Sequence, residues 1–217
     1  SDTDALKKSG VLLDVHYNFS YEGEAREGFT VNDPLFPRQR HHEVMKSQTA
    51  WNFGVGSSSI VIAITDDGLD MKHEDLQGST WTNPKEIAGN GIDDDRNGFV
   101  DDLHGWNFFD GSADLQDNHG HGTHIAGIIF SELKRLKIEK QFRFQILKYY
   151  DSEIPWSGLL KASNKSLQYA LDNQAQMVNY SGGGYQENNE EERIIRQLAL
   201  KNVPLVAAIG NQKLNTD

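Results

Sequence analysis

Residues 60–65 read Ile-Val-Ile-Ala-Ile-Thr, an unbroken apolar run of strand length with no polar side to turn toward water. Such a segment needs cover on both faces, the condition of a strand inside a parallel sheet. Residues 144–150, 176–180 and 203–209 are further segments of strand length. Helix-periodic stretches fall between them. Residues 121–133 begin with small side chains, and 157–173 carry Leu159, Leu160, Leu167, Ala170 and Leu171 at helical spacing. Residues 190–201 have acids in the first turn and Lys201 in the last, which complements a helix dipole. This alternation predicts an α/β fold, a doubly wound parallel sheet with helices on both faces. With 217 residues the chain is long enough for one full core. Ligands of such sheets bind beyond the carboxyl ends of the strands, so the residues that follow each strand are the place to look for chemistry.

Three of those places hold reactive side chains. Asp66 follows the first strand, before Asp67 and Gly68. His121 opens a helix between Gly120 and Gly122. Asn211 follows Gly210 after the last strand. The set fits acyl transfer: a His as general base, a carboxylate that fixes its tautomer, and a side-chain amide that donates to a developing oxyanion. A helix N-terminus disfavours the imidazolium and so favours a neutral His121. Asp66, first after the strand, is the expected orienting acid, while Asp67 precedes the glycine turn and is expected to point elsewhere. Taken singly, each residue reads as a turn former or a cap; their order on one inferred sheet edge argues for a site. A dinucleotide-binding oxidoreductase is the competing α/β reading, and it lacks a Gly-x-Gly-x-x-Gly after the first strand.

At these residues the chain resembles the subtilases, the subtilisin-like serine proteases. The matching motifs are Ile-Thr-Asp-Asp-Gly over 64–68, continuing through His73 to Asp75; His-Gly-Thr-His-Ile-Ala-Gly over 121–127; Asn-Tyr-Ser-Gly-Gly-Gly over 179–184; and Ala-Ile-Gly-Asn over 208–211. The Asp-Asp-Gly form is similar to the kexin-like branch. The resemblance covers residues 33–217 and implies a serine endopeptidase that hydrolyses peptide bonds of protein or peptide substrates through an acyl-enzyme. It implies that His121 acts as base and then acid, that Asp66 orients it, and that Asn211 holds the oxyanion. It also implies a cleft in which Ser181, Gly182 and Gly183 pair with a substrate strand and wall a pocket together with Ala208 and Gly210. Ser157 and Gly158 match the opposite strand of that cleft.

The family's nucleophilic Ser lies beyond the oxyanion Asn, in a Gly-Thr-Ser segment that does not occur before Asp217. The expectation is therefore a fragment, incomplete at its C-terminus and inactive alone, with the Ser on a companion C-terminal piece. The alternative is a non-catalytic, calcium-stabilised binding or inhibitory homologue.

A second signal lies in residues 93–102, which hold five Asp. Asp93, Asp95 and Asn97 alternate, Gly98 takes the sixth loop position, and the Phe99 carbonyl and Asp101 continue an order like that of an EF-hand, with Asp102 placed to close the shell. No Glu stands at the twelfth position, so the likeness is confined to ligand order. The competing reading is a solvated acidic turn. A structural Ca2+ is the expected cofactor.

The net charge of −11 argues against a nucleic-acid partner. The absence of cysteine excludes disulfides and thiolate chemistry. No apolar stretch is long enough to span a membrane. The resemblance points to a secreted or extracytoplasmic protein whose signal peptide is not in this chain. Residues 11–21 alternate like a half-buried strand, and 1–32 are expected to be either a propeptide remnant or an N-terminal extension packed outside. The peptidase domain is expected to begin at residue 33.

Overall fold

The computed structural model describes residues 34, 36–51, 60–135, 140, 142–151, 156–183, 188–208 and 210. The expected N-terminal strand at 11–21 and Asn211 lie outside the described residues. Among the described residues, five parallel strands form one sheet in the order β2-β3-β1-β4-β5. They are β1 (Ile60–Asp66), β2 (Gly105–Asn107), β3 (Phe142–Lys148), β4 (Met177–Tyr180) and β5 (Leu205–Ala207). The described residues also form three long helices, α3 (His121–Arg135), α4 (Trp156–Asp172) and α5 (Asn189–Leu200), and two short ones before β1, α1 (Arg40–Met45) and α2 (Ser47–Trp51).

The apolar run of β1 takes the central place. Its last five residues are buried, and it pairs with β3 on one side and β4 on the other. Successive side chains leave a strand on opposite faces. Ile62 and Ile64 accordingly join Phe144 and Ile146 in a cluster closed by Ala126 and Phe130 of α3, together with Leu69, Leu76 and Leu115. Ala63 joins Leu147 and Val178 in a second cluster closed by Ala162, Leu167 and Ala170 of α4 and by Ile194 and Leu198 of α5. Each Leu or Ile so enclosed contributes roughly 1.5–3 kcal/mol. The doubly wound arrangement follows: α3 covers one face, and α4 and α5 cover the other.

Several elements differ from expectation at their ends, and some were not expected. The strand anticipated at 144–150 runs Phe142–Lys148, because it pairs residue for residue with β1 from Ile60 to Asp66. The last strand is only Leu205–Ala207. β2 is three residues long, yet Trp106 is buried there in an aromatic group with Phe99, Phe108 and Tyr169. In α1 and α2 the buried His42 makes the tie to the core. Its Nδ1 meets Ser47 Oγ at 3.1 Å and its Nε2 meets Glu132 of α3 at 3.0 Å. Asn188 caps α5 by accepting from the Glu190 and Glu191 N–H groups, and Glu190, Glu191 and Glu192 fill the first turn.

Candidate active site

All five strands point the same way, so their carboxyl ends share one rim. The register places Thr65 beside Tyr180, Tyr180 beside Ala207, and Asp66 beside Lys148. One residue further on, Asp66, Ser181 and Ala208 stand in line. Ala208 is held there by its N–H, which donates to the Tyr180 carbonyl at 3.1 Å.

Asp66 and His121 meet on this rim. The Nδ1 of His121 lies 2.7 Å from Oδ1 of Asp66. The carboxylate is buried, with a side chain only 6% exposed, while the imidazole is 55% exposed. Asp66 Oδ1 also accepts from the Asp67 N–H at 2.9 Å. With Nδ1 facing the acid, the Nε2 edge is left to act, and among the described residues no hydroxyl hydrogen-bonds to it. The hydrogen bond to Asp66 raises the His121 pKa above its ordinary 6.5; burial opposes this, and the charges of Asp66, Asp67 and Asp117 add to the rise. The helix dipole expected to favour the neutral ring is therefore outweighed by the carboxylates around it.

Asp67 has a separate task. It is buried and its Oδ1 accepts from the Gly122 N–H at 2.6 Å, fixing the first turn of α3 against the end of β1. Burial lifts its pKa to about 6; the Gly122 hydrogen bond opposes the lift, and Asp117 and Asp66 reinforce it. Asp117 was not singled out from the sequence, yet it holds the N-terminus of α3. It accepts from the N–H groups of His119, Gly120 and Thr123 at 2.8, 2.6 and 2.9 Å, and from the Thr123 hydroxyl. Burial alone would raise its pKa, but these hydrogen bonds outweigh burial and lower it. Asp117 stands four residues ahead of His121, too far for the N-cap position itself, so N-cap preference did not mark it in the sequence. Gly122 must be glycine: a Cβ there would lie 2.2 Å from the Gly68 carbonyl oxygen and 2.8 Å from Asp67 Oδ1.

Ser181, Gly182 and Gly183 follow β4 on the same rim. Ser181 Oγ accepts from Asn179 Nδ2 at 2.7 Å. Gly182 packs so closely on Tyr149 that a Cβ would stand 1.9 Å from the phenol oxygen. Ala208 is exposed, and Gly210 adopts φ +86°. Ser157 and Gly158, which the resemblance matches to a strand of the cleft, lie in the first turn of α4, in keeping with the helical spacing of 157–173.

The acidic loop folds around its own carboxylates. Glu86, Asp93 and Asp95 each bring an oxygen within 4.8 Å of the other two. Glu86, which the sequence reading missed, is buried and accepts from the N–H groups of Asp94, Asp95 and Asp101. Asp93 accepts from Asn97 and Gly98 N–H. Asp101 and Asp102, expected as ligands, stand outside that group of three. Asp101 accepts from Asn90 and Gly91 N–H at 3.2 and 2.9 Å. Asp102 is fully buried and accepts from Asn83, Asn97 and the Tyr169 hydroxyl; burial raises its pKa against those hydrogen bonds. Asn97 Oδ1 accepts from the Phe99 N–H, and the Phe99 ring packs on the second core cluster. Among the described residues none of Glu86, Asp93 and Asp95 forms an ion pair with a basic side chain. An all-oxygen group of uncompensated carboxylates suits a hard cation.

The chain belongs to the subtilase family, whose sequence model matches residues 57–217. It is 36% identical over 125 residues to subtilisin-like protease 1 of Plasmodium vivax, covering 55% of this chain and 20% of that protein. It is 28% identical over 186 residues to thermitase of Thermoactinomyces vulgaris, covering 84% of this chain and 58% of that protein. The chain thus spans less than two thirds of these relatives. Among solved structures, the epidermin leader peptide processing serine protease EpiP from Staphylococcus aureus superposes with a TM-score of 0.54 at 21% identity, covering 86% of this chain and 46% of that one. A lanthipeptide protease gives 0.52 at 20% identity, covering 86% and 52%. These two likenesses show the fold.

Proposed function

We propose that the protein is a serine endopeptidase of the subtilisin type, acting on protein or peptide substrates. The observation that carries this reading is the 2.7 Å contact between buried Asp66 and half-exposed His121 at the carboxyl rim of a subtilase sheet. Asp66 holds the ring in the tautomer that protonates Nδ1 and stabilises the cation formed when Nε2 takes a proton. His121 is then general base toward an attacking Ser and general acid toward the leaving amine. Asn211 donates to the oxyanion, a contact worth roughly 3–4 kcal/mol. Ser181, Gly182 and Gly183 offer backbone to an extended substrate, with Ala208 and Gly210 across the pocket.

The attacking Ser comes from polypeptide other than residues 1–217, either downstream in the same chain or as a companion piece. Residues 33–217 are the N-terminal part of the peptidase domain, and 1–32 a propeptide remnant or extension. The protein works outside the cytoplasm. A Ca2+ ion held at Glu86, Asp93 and Asp95, with oxygens of Asn97 and Phe99, neutralises the acidic loop; its contribution is structural.

The test is a fluorophosphonate label on the full-length protein, read by intact mass under denaturing conditions. An adduct on a Ser outside residues 1–217, absent from His121→Ala, is the expected result. Unlabelled protein with no peptidase turnover overturns the reading and leaves the non-catalytic homologue.

A further inference from the structure

The loop that brings His121 to Asp66 is tied down by a buried cation. Lys148 ends β3 directly opposite Asp66 and is 3% exposed. A buried ammonium is costly unless its hydrogens are paired. Here Nζ donates to the Gln116 carbonyl at 2.8 Å and pairs with Asp151 Oδ2 at 3.2 Å. Asp151 reaches back to the same loop. Its Oδ2 accepts from Asn118 Nδ2 at 3.1 Å, and its Oδ1 lies 3.3 Å from His119 Nε2. Gln116, Asn118 and His119 are thus anchored to the end of β3, while Asp117 between them turns the other way to cap α3. The same strand end is tied to the acid's own strand, since the Tyr149 N–H donates to the Asp66 carbonyl at 3.0 Å.

We propose that Lys148 is a positioning residue for the Asp66–His121 pair, acting through Asp151 and the 116–119 loop; the inference rests on the peptidase reading. Its ammonium is taken up by the Gln116 carbonyl and the Asp151 carboxylate. His121 follows His119 by two residues, so slack in the loop becomes displacement of the ring. A misplacement of about 1 Å at a reacting group can cost about 10²-fold in rate. The buried charge thereby holds both partners of the acid–base pair to one strand end.

The experiment compares full-length enzyme with Lys148→Met, which keeps the stem and removes the ammonium, Lys148→Arg, which restores a cation, and Asp151→Asn, a milder change at the more exposed end of the network. The readouts are kcat and KM, together with the proton NMR signal of the His121 Nδ1 hydrogen. In Lys148→Met, kcat falls about 10–100-fold with KM within about twofold, and the Nδ1 signal broadens or disappears. Lys148→Arg recovers part of both, and Asp151→Asn moves both in the same direction by less. A lowered Tm with kcat and the Nδ1 signal unchanged overturns the proposal. If Lys148→Met does not fold, unchanged kcat and an unchanged signal in Asp151→Asn overturn it equally. Absence of turnover in the unaltered protein defeats the peptidase reading instead, and the Nδ1 signal still decides the role of Lys148.

Discussion

Asp67 Oδ1 accepts from the Gly122 N–H at 2.6 Å, while its neighbour Asp66 faces the His121 ring. Two adjacent acids therefore divide one job: Asp66 serves the base, and Asp67 fastens the helix that carries it.

That division has a pH signature. The folded-state pKa of Asp67 is raised to about 6 from 3.8. Its contribution to stability is present below the unfolded value and is lost as pH rises through about 6. Asp67→Asn keeps an acceptor for Gly122 and cannot ionise. Relative to the unaltered protein, the variant gains about 1–2 kcal/mol between pH 4 and pH 7.5. Denaturant unfolding at the two pH values measures this, and a constant difference refutes it.

His121 titrates above 6.5 because of Asp66. Histidine-resolved NMR of the unaltered protein gives that raised value, and Asp66→Asn brings it down. On the peptidase reading, activity follows the neutral ring, and its acid limb is expected above 6.5 in the full-length protein. The stability contribution has the opposite sense: it is complete below 6.5 and fades as pH rises through the folded-state value. Exposure of the imidazole keeps it small.

Gly122→Ala tests the approach of α3 to β1. Elsewhere in a helix the change stabilises by about 1 kcal/mol. Here the added methyl meets the Gly68 carbonyl and Asp67, so unfolding free energy falls by about 1–3 kcal/mol and activity falls with it. Chemical denaturation and kcat/KM check the two halves.

Asp117→Ala removes the acceptor for three backbone N–H groups at the start of α3. The loss is about 1–2 kcal/mol, at the upper end for a helix cap, read from thermal unfolding at pH 7.

Calcium titration followed by calorimetry is expected to give one site that Glu86→Gln weakens more than Asp101→Asn does. Equal effects, or heat unaffected by either, contradict placing the ion at Glu86, Asp93 and Asp95.

The sheet was legible because Ile62, Ala63 and Ile64 leave no face for water, and the rim was legible because Asp66 follows that run at once. What escaped the sequence was short or distant. β2 is too brief to show a period, and α1 and α2 span barely a turn or two each. Glu86 joins Asp93 and Asp95 only after the chain has turned back on itself. Asp102 carries the same charge as Asp93, yet Tyr169, far along the chain, draws it inward. Pattern reveals which residues want burial; it does not say which of several like charges will find a donor.

Ile62 of the central strand lies beside Phe144 on one side and Met177 on the other, both far ahead of it in sequence. Pairings of such long reach form late and slowly. Asp66 ends that same strand, and His121 reaches it from 55 residues along the chain. The reactive groups are thus neighbours in the assembled sheet and strangers along the chain.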